Sequence, residues 1–304
     1  MDASPSGRLA LELSNRLPGN FYYSGRGSIT WLNGSRSVTL IMDRAVDSVI
    51  DGRRIVEALT GSVHGWTIGQ LAKELVAWIG PPDRTSTRQA IASLKDYWKF
   101  CLCTPCTSGD AALYDLESCF YSILSRVKTV RPYFSTRGLL WLDAENPAEE
   151  TRFRLLVGAV KDHKALRNAL IGAMVGGIGE TSSQYWHKGR MIPFKTIRGP
   201  RVELGAAVVR SAYEIVQLEA QASSAFYANT DSIIISGDKG PKIWPMAGLP
   251  FRLLARGEAD VQAFGQYRVG HKATKSYNPG SGFPAIEHNP ELVEPIYCPW
   301  LLSA

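Results

Sequence analysis

Phe226-Tyr227-Ala228-Asn229-Thr230-Asp231-Ser232-Ile233-Ile234-Ile235 reads as two short apolar strands joined by a polar tip. Ser224 to Ala228 forms the first strand and Ser232 to Ser236 the second. Asp231 is the only acid between Ser224 and Ser236. A carboxylate at a tight hairpin tip is expected to face solvent, to be rigidly aimed, and to be well placed to hold a cation. Asn-Thr-Asp is also ordinary turn chemistry. The hairpin therefore becomes a site only if a second carboxylate can share the cation.

Upstream, Ala111-Ala112-Leu113-Tyr114-Asp115 reads as a buried strand ending in an acid, and Leu116 to Leu124 turns into a helix. An acid at a strand end can cap the helix that follows. It is also well placed as a metal ligand, since the strand fixes the carboxylate and the loop gives access. A helix over Val202 to Ala222, apolar at Leu204, Val208, Ala212, Ile215 and Leu218, delivers the chain to the hairpin.

Between the two acids, Ala148 to Val175 is helical in pattern, with a break near Lys161-Asp162-His163. Lys164 and Asn168 are four residues apart and share a helix face. Such a face is either simply solvated or presents cations to a polyphosphate. Gly176 to Pro200 is Gly-rich and basic, with Tyr185 and Trp186 interleaved, which suits an exposed loop or a nucleic acid strand.

Residues 1–62 look β-rich, with a hairpin from Ile29-Thr30-Trp31-Leu32 through Asn33-Gly34 to Val38-Thr39-Leu40-Ile41. Helices are expected over Thr67 to Ile79, stopped by Pro81-Pro82, and over Thr85 to Phe100. Arg252, Arg256, Arg268, His271, Lys272 and Lys275 make the C-terminal part basic.

The chain has 304 residues, 45% of them hydrophobic and 20% charged, as in a globular protein with a real core. A net charge of +6 suits a phosphate-rich partner without requiring one. No secretory signal or membrane span is visible, so an intracellular, cytoplasmic setting is expected. Five cysteines, an odd number, fit a reducing compartment. Cys101, Cys103 and Cys106 could join Cys298 or a histidine around zinc, but the second Cys or His pair is missing. Free structural thiols are the simpler expectation.

An acid on a strand, a Lys/Asn helix and an acid on a hairpin thus follow in order. This order resembles the family B DNA polymerases. Their first motif, D-x-x-S-L-Y-P-S, is similar to Asp115-Leu116-Glu117-Ser118-Cys119-Phe120-Tyr121-Ser122 at the acid and both serines. Their fingers motif, K-x-x-x-N-S-x-Y-G, is similar to Lys164-Ala165-Leu166-Arg167-Asn168-Ala169-Leu170-Ile171-Gly172 at Lys, Asn and Gly. Their Y-G-D-T-D-S is similar to Tyr227-Ala228-Asn229-Thr230-Asp231-Ser232. Lys275-Ser276-Tyr277 resembles the K-x-Y element that holds the primer-template duplex. Asn229 replaces the first hairpin acid of the family, Ala169 and Ile171 replace its fingers Ser and Tyr, and the chain is short for the family.

The resemblance implies an α+β fold: an antiparallel palm sheet backed by helices, short helical fingers and a small thumb-like C-terminal part. It implies an N-terminal hairpin plus helices over 1–110, a palm over 111–140 and 181–250, fingers over 141–180, and a thumb-like duplex-binding region over 251–304. The implied activity is template-directed addition of dNTPs to a DNA primer-template, without proofreading. Two Mg²⁺ or Mn²⁺ ions would sit on Asp115 and Asp231, the catalytic pair. Ser118, Cys119, Phe120, Lys164 and Asn168 would bind the nucleotide, with Phe120 excluding a 2′-hydroxyl. Tyr227, Lys272, Lys275 and Tyr277 would contact nucleic acid. The resemblance leans towards virus- or plasmid-like polymerases, acting in a host cell, and leaves open a priming protein or accessory subunit. Two alternatives stand beside it: a reverse transcriptase-like polymerase, and an inactive palm-fold replication protein that only binds nucleic acid.

Overall fold

The structure is a computed structural model that describes residues 5–24, 27–80, 87–95, 101–127, 129–135, 138–143, 145–175, 184–187, 190–193, 201–237, 240–242, 248–249, 251–274 and 277. In chain order its elements are α1 (Pro5–Arg16), β1 (Asn20–Ser24), β2 (Ser28–Asn33), β3 (Arg36–Ile41), α2 (Asp43–Thr60), α3 (Ile68–Ile79), α4 (Thr87–Lys95), β4 (Leu102–Cys103) and β5 (Cys106–Leu116). There follow α5 (Cys119–Leu124), β6 (Pro132–Ser135), β7 (Gly138–Trp141), α6 (Pro147–Ala159), α7 (Lys164–Val175), β8 (Gln184–His187) and β9 (Arg190–Pro193). The last are α8 (Val202–Ala222), β10 (Tyr227–Asn229), β11 (Ser232–Ser236), β12 (Phe251–Ala263), β13 (Gln266–Val269) and β14 (Lys272–Ala273). This is the α+β class expected, with antiparallel pairing throughout the described ladders. Among the described residues, no helix is long and apolar enough to cross a membrane.

The chain divides into two compact units, one of residues 1–84 and 143–205, the other of residues 85–142 and 206–304. The first unit holds a sheet in the order β3-β2-β1-β8-β9. The hairpin of β2 and β3 forms as the Asn33-Gly34 signal predicts, with Asn33 opposite Arg36. Residues 1–62 are nevertheless not β-rich throughout. α1 packs on β1 through Ala10 and Phe21, and α2 runs for 18 residues. Its three-to-four-residue apolar spacing, at Val46, Val49 and Ile50, marks a helix and was overlooked beside the strong hairpin signal. β8 and β9 also join this first sheet, through β1, and not the sheet that carries the acids, so the segment 181–250 is not one structural body.

α3 matches its expected bounds because Thr67 caps it, the side chain accepting from the Gln70 N–H at 3.2 Å. The break near 161–163 is also present. His163 Nδ1 accepts the Leu166 N–H at 3.1 Å and so caps α7. That leaves Nε2 protonated to donate to the Ser48 carbonyl at 2.8 Å, tying α7 to α2. Gly52 allows this close approach, since a Cβ there would stand 3.1 Å from Leu71 and 3.4 Å from Leu166. A buried Arg201–Glu149 ion pair links α6 to the start of α8.

The second unit holds a sheet in the order β14-β13-β12-β5-β11-β10-β4. Tyr227 on β10 and Tyr267 on β13 have ring centroids 4.9 Å apart although three strands lie between them in the sheet. The sheet therefore curls over a core of Cys103, Leu113, Tyr227, Ile234, Ala255, Val261 and Val269. Register shifts in β12, between Leu253 and Ala255 and between Gly257 and Ala259, supply the extra twist. Gly270, at φ +51°, makes a backbone approach that a Cβ would block, at 2.4 Å from the Arg256 carbonyl oxygen. β12 to β14 belong to the same sheet as β5 and β11. The boundary expected at residue 251 thus falls inside a sheet, because the basic composition of 251–275 stood out while the register shifts in β12 interrupt its strand alternation.

Candidate active site

β5 and β11 run side by side, with Ser232 opposite Asp115 and Ile234 opposite Leu113. Alternation buries Leu113 and Ile234 in the curled core and leaves Asp115 at the end of the same ladder. β10 and β11 are joined through Thr230 and Asp231, with Asn229 opposite Ser232. Thr230 takes φ +55°, the left-handed conformation a two-residue hairpin turn demands. The Asp231 carbonyl accepts the Leu116 N–H at 2.8 Å, which ties the turn to the residue after Asp115. Asp231 is half-buried, not solvent-facing as expected of a hairpin tip. The curl of the sheet brings other groups over it.

Electrostatics single out this pair. Burial and the neighbouring Asp115 charge push the Asp231 carboxyl up to about 6. Asp115 is also raised by burial, against the pull of the Arg252 guanidinium and with a smaller push from Glu117. Arg252 stands opposite Asp115 on β12, its Nη2 3.5 Å from Oδ2. Cys119, at the start of α5, is buried and its thiol is raised well above the ordinary range by burial and by both carboxylates. Tyr267 reaches the same place from β13: its hydroxyl hydrogen-bonds the Ser232 side chain, and burial together with Asp231 and Asp115 raises it. The sequence reading missed Tyr267 and the pairing of Arg252. Phe264-Gly265 as a hairpin turn ahead of alternating Tyr267 and Val269 was the available signal.

Ser118 sits at φ 49° before α5 and turns the chain from β5 into the helix. The Ser122 hydroxyl donates to the Glu117 carbonyl at 2.7 Å, which fixes that turn. Phe120 follows Cys119 and is half-buried.

Asn229 has neutral neighbours. Its Oδ1 accepts from Thr230 Oγ1 at 3.2 Å and from the Cys101 thiol at 3.5 Å. Its Nδ2 donates to the Tyr227 hydroxyl at 3.5 Å. Burial pushes the Cys101 thiol up to about 11, so it stays protonated as a donor. Tyr227 is only 1% exposed and accepts the Gly265 N–H at 3.0 Å. It is a strut inside the curled sheet and has no free face for a nucleic acid strand, contrary to its expected role. The Y-x-N-T-D-S pattern placed it beside the acid correctly but not its ring.

Of the remaining expected residues, Lys164 and Asn168 lie in the first unit. They are exposed on α7, whose buried face is Leu166, Ala169, Leu170, Ala173 and Met174. Lys272 is exposed on β14. The Tyr277 hydroxyl donates to Asp260 at 2.7 Å on β12, and Lys275 lies outside the described residues. Cys103 and Cys106 carry raised thiols, chiefly through burial. Among the described residues, no three His, Cys, Asp or Glu side chains converge in a group that could hold a metal ion.

Two carboxylates alone still fit a hard divalent cation. Mg²⁺ is commonly held by one or two carboxylates, with water and substrate phosphate completing the shell. Asp115 and Asp231 are half-buried like charges, the situation a cation relieves.

No protein-family model matches the chain. No curated protein sequence matches it either. Among solved structures it is similar to phi29 DNA polymerase in an orthorhombic crystal form, with 11% identity and a TM-score of 0.41 over 79% of this chain and 70% of that one. It is similar to phi29 DNA polymerase complexed with primer-template DNA and incoming nucleotide substrates, at 10% identity and a TM-score of 0.36, over 77% and 69% of the two chains. It is also similar to the family B DNA polymerase from the hyperthermophilic archaeon Pyrobaculum calidifontis, at 9% identity and a TM-score of 0.35, over 73% of this chain and 34% of that one. Likeness at this level assigns no chemistry and no residue roles.

Proposed function

We propose that this chain is a template-directed DNA polymerase of the family B type, adding dNTPs to a primer-template. The observation that carries the reading is the Asp115–Asp231 pair: two half-buried carboxylates, one on β5 and one in the turn that leads into its neighbour β11, each raised by burial and Asp231 further by Asp115. A purely structural role gives no reason to hold two like charges together at that cost. The order of the three motif-like stretches along the chain is the second support.

On this reading Asp115 and Asp231 hold Mg²⁺ or Mn²⁺. When bound, the ions supply Lewis-acid activation of the primer 3′-hydroxyl and charge neutralisation on the triphosphate. The protein's own part is to fix the two carboxylates. The Leu116–Asp231 main-chain bond and the paired β5–β11 ladder fix the backbone from which both project. The motif resemblance alone assigns Lys164 and Asn168 on α7 to the incoming phosphates. Ser118 sets the turn that presents the backbone amides near Cys119 and Phe120, and the Phe120 ring packs below the sugar. Lys272, Lys275 and Tyr277 serve the duplex.

Primer extension with dNTPs and rNTPs on DNA and RNA templates tests this. Wild type extends DNA primers on DNA with dNTPs, and Phe120→Ala gains ribonucleotide incorporation. Extension on RNA alone would favour the reverse transcriptase-like alternative. DNA binding without extension under either metal would favour the inactive palm.

A further inference from the structure

β12 and β5 carry two arginine–aspartate pairs of different construction. At the outer one, Arg256 grips Asp110 with two prongs, Nε to Oδ1 at 3.2 Å and Nη2 to Oδ2 at 3.1 Å. At the inner one, Arg252 reaches Asp115 through a single contact, Nη2 to Oδ2 at 3.5 Å. The two-pronged geometry is the strong form of this interaction, and the single long contact is a weak one. Position does not force the difference, because Arg252 is the direct cross-strand partner of Asp115. Its side chain is 56% exposed while that of Asp115 is 19% exposed. The cation therefore stands on the solvent side of a carboxylate that is mostly withdrawn from water, and it can leave at little cost.

We propose that Arg252 is a tethered, displaceable counter-cation: it neutralises Asp115 until a divalent cation arrives, and it yields its place when one binds. The inference rests on the metal-binding reading of Asp115 and Asp231 and goes beyond it by assigning Arg252 a competing role. A tethered cation offsets the charge of the half-buried carboxylate while no metal ion is bound. It also sets a threshold below which stray divalent ions are not held. Exposed guanidinium contributes weakly, so the expected competition is modest, about three- to fivefold in metal affinity.

The test is Mn²⁺ binding to the whole chain, followed by titration calorimetry and by the Mn²⁺ spin-resonance signal, without nucleotide or DNA. Arg252→Gln and Arg252→Ala should both bind Mn²⁺ about three- to fivefold more tightly than wild type at low salt, and Arg252→Lys should stay near wild type. The gain should shrink as salt rises, since added ions screen the exposed guanidinium in wild type. Adding Asp115→Asn to wild type and to Arg252→Gln should abolish the difference between the two. Circular dichroism of each variant establishes that it is folded. Asp115-dependent Mn²⁺ binding that is equal or weaker in both charge-removing variants overturns the role of Arg252 and leaves the metal site standing. Absence of Mn²⁺ binding in wild type and in both charge-removing variants overturns both.

Discussion

The main-chain carbonyl of Asp231 accepts the N–H of Leu116 at 2.8 Å, so the hairpin turn is fastened to the strand end that carries Asp115. Together with the β5–β11 ladder, this bond holds the backbone of the two acid-bearing residues side by side. Both carboxyls are raised by burial there, and Asp231 also feels the Asp115 charge.

The first prediction concerns pH. The Asp231 carboxyl is raised to about 6 in the folded protein, above its value in the unfolded chain. The folded state therefore binds the proton more tightly. Stability is higher below the unfolded pKa and falls as pH rises through about 6. Asp231→Asn should remove this loss and stabilise the chain at pH 7.5 by roughly 1–2 kcal/mol, with little effect at pH 4. Urea denaturation at the two pH values reads the difference. Equal effects at both would show that Asp231 is not strained.

A second prediction follows for Asn229→Asp. The substitution replaces a neutral amide by a third carboxylate beside the turn and removes the Nδ2 donor to Tyr227. Stability should drop by about 1–2 kcal/mol at pH 7.5 and recover in part near pH 5. Thermal melts across that range check it; a pH-independent loss would place the cost in packing alone.

Tyr227 separates packing from polarity. Tyr227→Phe keeps the ring against Tyr267 and loses only the hydroxyl, which accepts from Gly265 and more weakly from Asn229, costing about 1 kcal/mol. Tyr227→Ala opens the curled core and should cost about 3–5 kcal/mol. DNA affinity of a folded Tyr227→Phe should equal that of wild type, because the ring is buried. A lower affinity would restore a contact role.

His163 and Lys164 are neighbours with opposite expectations. His163→Ala loses the cap on Leu166 and the bond to Ser48, so unfolding should come about 1–2 kcal/mol sooner. Lys164→Ala, on an exposed position, should change stability by no more than about 0.5 kcal/mol. Its effect should appear instead as weaker dNTP binding, measured by extension at varied nucleotide concentration.

Local patterns survived into the structure where local chemistry decides them. The α3 cap, the break before α7, the bounds of α8 and the Asn33-Gly34 hairpin all follow from nearby residues. The pairing of Asp115 with Ser232 brought the two singled-out acids together through a long-range ladder that no local pattern displays. The same is true of what surrounds them. Tyr267 reaches the turn only because bulges in β12 curl the sheet, and Tyr227 is buried for the same reason. Strand order was equally hidden: β8 and β9 join a sheet through β1, which lies far upstream in the chain. Charge misled at residue 251, where Arg252 and Arg256 on one strand and Arg268 and Lys272 on the next two suggested a separate basic region.

The most direct test of the central claim is single-nucleotide primer extension by the whole chain in Mg²⁺ or Mn²⁺, comparing wild type with Asp115→Asn and Asp231→Asn. The account predicts that wild type adds the templated dNMP and that each substitution reduces the rate by at least about a hundredfold while the protein remains folded. Extension by either variant at the wild-type rate, or none by wild type in both metals, would contradict it.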